Sequence, residues 1–219
     1  MVDIVPKLPC AFPTMSVLTG RTVDLVRVDP IAHGADLWRA IGADVALWAE
    51  IPPGPFEDSG AFMEWLTDRA ERPDAVLYAI LDKQDDCRAA GLYFLLNIDT
   101  AMGVLELGLI YGPALSRRVQ GTEALFLIAQ SVFETLGYRR LEWRCNPANI
   151  ASRRAAERYG FILEGLMRQS MWVKGRNWDT ALYAMTDGDW PAIATRLEAW
   201  LSPDNFGPDG RQIRGLTRR

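Results

Sequence analysis

The sequence predicts a single α/β domain of the α+β kind, and three observations predict it. A length of 219 residues suits one such domain with a terminal extension better than two full ones. Three apolar strand segments, Ala75–Leu81, Ala90–Ile98 and Val104–Tyr111, are joined by polar turns at Asp82–Arg88 and Asp99–Gly103, the pattern of an antiparallel meander. The helical stretch Arg118–Leu136 has an apolar stripe of Leu125, Ile128, Val132 and Leu136, widened by Phe126, Ala129 and Phe133. That width suits packing on a sheet. A composition of 49% hydrophobic and 24% charged residues supplies one sizeable core.

The other elements follow in order. Thr22–Val28 alternates and reads as a first strand, stopped by Asp29-Pro30. Ile31–Ile41 is helical. Trp48 to Phe56 is a proline-rich loop with aromatic ends, and Asp58 or Ser59 caps a helix that puts Phe62, Trp65 and Leu66 on one face. Gly137 stops the central helix. Arg140–Cys145 is a strand, and Asn149–Tyr159 a short helix closed by Gly160. Two strands follow near Ile162–Val173 and Thr180–Met185. Trp190–Leu201 is the last helix, and Ser202–Arg219 is a tail rich in Gly, Pro and charge, expected to be partly mobile.

Composition excludes several function classes. Cys10, Cys87 and Cys145 lie far apart without C-x-x-C spacing, which argues against a disulfide framework and a zinc site. His33, in a predicted helix with no partner nearby, is the single histidine and reads as a surface residue, which argues against His-based triads and His-rich metal sites, and no metal is expected. A net charge of −4 offers no case for nucleic-acid binding. The longest apolar runs are too short to span a membrane, and the first residues lack the pattern of a signal peptide; the chain is expected to be cytoplasmic. Arginines concentrate between Arg117 and Arg176, acids in the N-terminal half. A basic middle suits an anionic ligand and acidic loops a cationic one, unless the two sets simply offset each other.

The most specific block is Asn149-x-x-Ser152, then Glu157-x-x-Gly160-Phe161-x-x-Glu164-Gly165. Upstream stand Glu106-Leu-Gly108, Pro113 and Thr122-Glu123-Ala124; downstream stand Lys174-Gly175-Arg176, Asp179 and Tyr183. In this order and spacing the motifs resemble the RimJ/RimL branch of the GNAT superfamily of N-acetyltransferases. The resemblance runs from residue 18 to residue 201, leaving 1–17 as an N-terminal extension and 202–219 as the tail. It implies a strongly bent, mixed, mostly antiparallel sheet flanked by helices, with central strands that splay apart to admit acetyl-CoA. It also implies an amine acceptor, either a protein N-terminus or a small molecule, and it makes a homodimer plausible.

The resemblance assigns cofactor contacts to the backbone of Leu109, Ile110 and Tyr111, to the loop and helix start at Arg117, Arg118, Val119, Gln120, Gly121 and Thr122, and to Asn149, Ser152 and Arg153. The superfamily's phosphate loop is Q/R-x-x-G-x-G/A; here Ala114, Arg117 and Val119 stand at its marked positions and only Gly121 remains as a following glycine. Arginine side chains are therefore expected to replace part of a backbone cradle. The tyrosine that many members carry on the short helix is Ala156, and the branch's later glutamate is Met171. Ser152 is then the candidate donor to the coenzyme sulfur, or else an ordinary first-turn helix residue. Glu106 is the candidate base, or else a structural carboxylate. Trp48, Pro53 and Phe56 read either as a substrate-side wall or as loop packing. Cys145 reads as a buried strand residue rather than an acyl carrier. The alternative to catalysis is a regulatory module that only binds acyl-CoA.

Overall fold

In the computed structural model, residues 7–208 and 210–216 are described; the expected extension and tail lie partly outside that range. The elements are β1 (Val17–Thr19), β2 (Val23–Arg27), α1 (Pro30–Leu37), α2 (Ser59–Ala70), β3 (Val76–Asp82), β4 (Arg88–Asp99), β5 (Val104–Tyr111), α3 (Val119–Gln130), β6 (Arg140–Cys145), α4 (Ile150–Tyr159), β7 (Ile162–Val173), β8 (Arg176–Thr186) and α5 (Trp190–Leu201). Eight strands form one open sheet in the order β1-β2-β3-β4-β5-β6-β8-β7. Every neighbouring pair is antiparallel except β5 and β6, which are parallel because α3 carries the chain across between them.

Alternation along the strands feeds two cores. Val76, Tyr78, Ile80, Tyr93, Leu95, Leu105, Leu107, Leu141, Trp143 and Tyr183 face α3, α4 and α5. Leu77, Ala79, Leu92, Phe94 and Ile110 face α1, α2 and the loop between them. A strand buried on both faces reads as a nearly continuous apolar run, and β3 does so.

Caps fix the helix starts. Asp29 accepts from the amides of Ile31 and Ala32, Asp58 from that of Ala61, and Asn149 from that of Ser152. Gly160 ends α4 in the left-handed region at φ 105°, and a Cβ there would lie 2.7 Å from Ile193 Cδ1. The structure adds to the sequence expectation the short β1. It also changes the ends of two helices: α1 continues as a π-helical turn over Trp38–Gly42, and α3 gives way to another over Ser131–Thr135. Beyond α5 the described tail folds back, with Asn205 buried and donating to the Trp200 and Arg214 carbonyls, and Trp200 Nε1 donating to Gln212. No helix among the described residues is long and apolar enough to cross a membrane.

Candidate active site

The site begins where the sheet divides. β5 and β6 pair through Val104↔Arg140, Leu105↔Leu141 and Glu106↔Glu142, and there the pairing ends. Beyond it, β5 stays on β4 and β6 stays on β8, leaving two facing strand edges. The Gly112 amide donates to the Ala90 carbonyl at 3.0 Å. By strand alternation Ile110 then shares its backbone groups with β4, while those of Leu109 and Tyr111 point into the gap. An extended ligand arm can add to that edge as a strand does. Ile110 is 4% exposed and its side chain serves the core.

At the top of the gap the β5–α3 loop turns tightly, with the Leu115 and Ser116 amides both donating to the Gly112 carbonyl at 3.1 Å. Arg117 sits at φ 58°, so the left-handed turn that a glycine usually makes is kept by an arginine. Val119 opens α3, and no side chain caps its start. The amides of Val119, Gln120 and Gly121 therefore have no partner within the helix and form a natural anion site. At Gly121 a Cβ would lie 2.3 Å from the Leu115 carbonyl oxygen, so only glycine lets α3 close on the loop. Gln120 and Thr122 turn their side chains inward, to Gln84 (2.8 Å) and Arg158 (3.3 Å), and are left with backbone roles. Arg117 and Arg118 are exposed beside this ring of amides.

Three tyrosines cluster beside the gap: Tyr111, whose backbone the sequence reading assigned to the cofactor, and Tyr93 and Tyr159, which it did not find. Tyr111 donates to the Gly121 carbonyl at 2.8 Å and meets the Tyr93 hydroxyl; Tyr159 of α4 faces Tyr111 and Thr122. Burial pushes all three phenols up and keeps them protonated.

The two candidate catalytic side chains stand on opposite faces of the sheet. On the α4 face, Asn149 Oδ1 accepts from the Ser152 amide at 2.9 Å, and Ser152 Oγ accepts from Trp143 Nε1 at 3.0 Å. The indole fills one lone pair, so the hydroxyl proton is the group left to donate, and it already meets the neighbouring Cys145 sulfur. Cys145 is adjacent; burial pushes its thiol up, and Ser152 and Arg153 offset part of that rise. Arg153 is engaged by the Tyr183 hydroxyl at 3.1 Å. Ala156 is fully buried, so a tyrosine there would displace core.

On the other face, Glu106 accepts from Asn97 Nδ2 at 2.7 Å and lies 3.3 Å from Arg144 Nε. Burial pushes its carboxyl up; Arg144 and Asn97 oppose that, and Glu142 adds to it. The charges continue sideways: Arg144 pairs with Glu142 at 2.8 Å, and Arg140 with both Glu142 (2.9 Å) and Glu164 (2.6 Å). Sequence reasoning placed these arginines in a basic stretch but missed their partners, because cross-strand register is not written in local alternation. Met171 lies exposed on β7, opposite Trp178.

The aromatic wall is deeper than its sequence suggests. Trp48 is fully buried, donates its indole N–H to the Ile41 carbonyl at 2.8 Å, and packs edge-on against Phe56 and Trp65. It backs the loop, while Pro53 and Phe56 are half-buried. The β7–β8 tip docks here: Lys174 Nζ donates to the carbonyls of Trp48 (2.5 Å) and Ile51 (2.7 Å). Glu50 accepts from Asn146 at 2.7 Å and lies 3.7 Å from Arg176. No group of metal-ligating side chains occurs among the described residues.

An open mixed sheet with a parting pair of parallel strands, a ring of free helix-start amides above the gap and a hydroxyl at its edge is an arrangement that suits a transferase with a long, phosphate-bearing cosubstrate. The chain belongs to the GNAT acetyltransferases: the acetyltransferase (GNAT) domain family matches residues 28–162. It is similar to a GCN5-related N-acetyltransferase from Brucella melitensis, with 39% identity, 99% of this chain and 97% of that one covered, and a TM-score of 0.91. A probable GNAT-family acetyltransferase from Chromobacterium violaceum is also 39% identical, over 87% of this chain and 94% of that one, with a TM-score of 0.79. RimL, a ribosomal L7/L12 α-N-protein acetyltransferase, shares the fold at 19% identity, covering 80% and 98% with a TM-score of 0.68. No curated protein matches the chain.

Proposed function

We propose that the chain transfers an acetyl group from acetyl-CoA to a primary amine by direct attack within a ternary complex, with a protein N-terminus favoured over a small-molecule amine. The observation that carries this is the placement of Ser152 and Glu106 on opposite faces of the sheet beside the gap between β5 and β6. An amine approaching on one face would meet a carboxylate able to take its proton. A thiolate departing on the other would meet the Ser152 hydroxyl, whose proton can turn from the Cys145 thiol to steady it. The residues present suit the cosubstrate. The Leu109 and Tyr111 backbone would hold the pantetheine arm, the amides at the start of α3 with Arg117 and Arg118 the phosphates, and Asn149 and Arg153 the α4 side of the gap. When bound, acetyl-CoA supplies the activated acyl group. The preference for a protein N-terminus rests on the motif resemblance to the RimJ/RimL branch.

The test is a panel of peptides, polyamines and aminoglycosides assayed for acetyl transfer, with Ser152→Ala and Glu106→Gln beside the wild type. Ser152→Ala is expected to lower kcat about tenfold at unchanged acetyl-CoA affinity, since its hydrogen bond strengthens only as charge develops on sulfur. Glu106→Gln is expected to cost about 10²–10⁴ in rate. Full turnover in both variants would refute the assigned roles. CoA binding without transfer to any amine would favour a binding module, a reading that Ala156 and Met171 motivate.

A further inference from the structure

Glu106 is not alone on its face of the sheet, and its neighbours can be enumerated. From β4 comes Asn97, a neutral donor at 2.7 Å. From β6 come Arg144, the cation at 3.3 Å, and Glu142, an anion whose oxygens already take Arg144 at 2.8 Å and Arg140 at 2.9 Å. From β7 comes Glu164, which is held by Arg140 through both oxygens, at 2.9 and 2.6 Å. Glu106 thus ends a chain of alternating charge, Glu106–Arg144–Glu142–Arg140–Glu164, that runs from β5 through β6 and reaches over β8 to β7.

The chain has a direction. Arg140 satisfies Glu164 and one oxygen of Glu142, so Arg144 is left to serve the other oxygen of Glu142 and Glu106. A guanidinium held between two carboxylates by a planar fork keeps one orientation. Its Nε and Nη2 both donate to Glu142 Oε2, at 3.2 and 2.8 Å, and this sets Nε 3.3 Å from Glu106 Oε2, an ion-pair contact just where β5 and β6 part. The side chain of Glu106 is 14% exposed and that of Arg144 35%, so the pair is only partly screened by water.

We propose that Arg144 is a positioning residue for Glu106: it holds the carboxylate ionised and aimed toward the gap, and the Glu142–Arg140–Glu164 chain holds Arg144. This rests on the reading of Glu106 as the base. Burial by itself pushes the Glu106 carboxyl up, toward a group that would keep its proton, and Arg144 is the cation that opposes this. The sign follows: without Arg144 the carboxylate forms only at higher pH, so activity is lost on the acid side and returns as pH rises. Arg144→Lys restores a cation without the fork and should recover the charge effect in part.

The experiment is a ¹³C NMR titration of the glutamate side-chain carboxyls in the wild type, Arg144→Gln and Arg144→Lys, with the Glu106 signal assigned by its loss in Glu106→Gln. The Glu106 midpoint is expected to rise in Arg144→Gln and to return part of the way in Arg144→Lys, while melting curves show that each variant is folded. Acetyl transfer to the best amine of the panel should fall about tenfold at the acid end of the profile in Arg144→Gln and converge on wild type at the alkaline end. An unmoved Glu106 midpoint, or a rate loss equal at every pH, would overturn the proposal. Wild-type turnover in Glu106→Gln would instead remove the base reading, and the titration reports on Arg144 independently of it.

Discussion

Glu123 stands in the middle of the Thr122-Glu123-Ala124 motif, at the start of the cofactor-side helix, yet its carboxylate turns away from the gap. It accepts from the Arg21 amide at 2.9 Å, from the Thr22 amide at 2.6 Å and from the Thr22 hydroxyl, and it is 7% exposed. It staples the β1–β2 turn to α3 across roughly a hundred residues of chain. Glu123→Ala would leave two backbone donors and a hydroxyl without their acceptor in a nearly dry site. A hydrogen bond to a charged group is worth about 1.5–3 kcal/mol, but the three share one carboxylate and are not additive. With part of the loss recovered by water at the cavity, the expected cost is about 3–4 kcal/mol, which lowers the melting midpoint by roughly 6–16 °C for a domain of this size. Thermal denaturation followed by circular dichroism, with and without CoA, measures it. Acetyl transfer well below the new midpoint should stay within a fewfold of wild type. A melting point within 2 °C of wild type, or a collapse of turnover in a protein that melts normally, would refute the stapling role and return Glu123 to the cofactor site.

Two further outcomes are expected. Arg117→Gly removes the strain of a left-handed arginine, about 1–2 kcal/mol, against the entropy glycine adds to the unfolded chain, about 0.5–1 kcal/mol. Stability should therefore hold or rise slightly while CoA affinity in calorimetry falls about tenfold and pantetheine affinity does not; equal CoA affinity would mean the guanidinium does not hold phosphate. Trp143→Phe keeps the ring packing against Phe161 but removes the indole donor to Ser152, so kcat should fall severalfold at constant acetyl-CoA KM. Wild-type kcat in that variant, alongside a damaged Ser152→Ala, would show that the serine needs no such orientation.

Much of the fold was legible because each element carries its own signal. Asn149 and Gly160 bracket α4, Arg140–Cys145 alternates through its whole length, and Trp190–Leu201 has a proline in its first turn and a buried stripe. β1 escaped notice because three residues are too few for a period, and Arg27 donates to the Ser16 carbonyl only once the hairpin exists. The π-helical ends of α1 and α3 depend on tertiary packing that no local pattern encodes. For the candidate site, motif order nominated Ser152, Glu106 and the loop at Arg117. It could not show that Trp143 reaches Ser152 while the next residue, Arg144, reaches Glu106, because both contacts depend on register and on which face each residue takes. Trp48 shows the reverse limit: an aromatic beside a proline-rich loop looks like surface until its indole is found bonded to Ile41.

The three residue pairs that join β5 to β6 have a mechanical consequence. Past Glu106 and Glu142 the sheet is two plates hinged along a short seam, and the plates touch again across the mouth through the contacts of Lys174 with Trp48 and Ile51 and of Glu50 with Asn146. Such a frame is joined at its hinge and at its clasp, and on the helix side by Arg158 on Thr122 and Tyr159 beside Tyr111. A strand-like ligand lying in the gap would act as a brace, loading the two plates in common so that they move as one. Hydrogen exchange at the Leu109 and Tyr111 amides would register that change directly, since these are the groups the brace would cover.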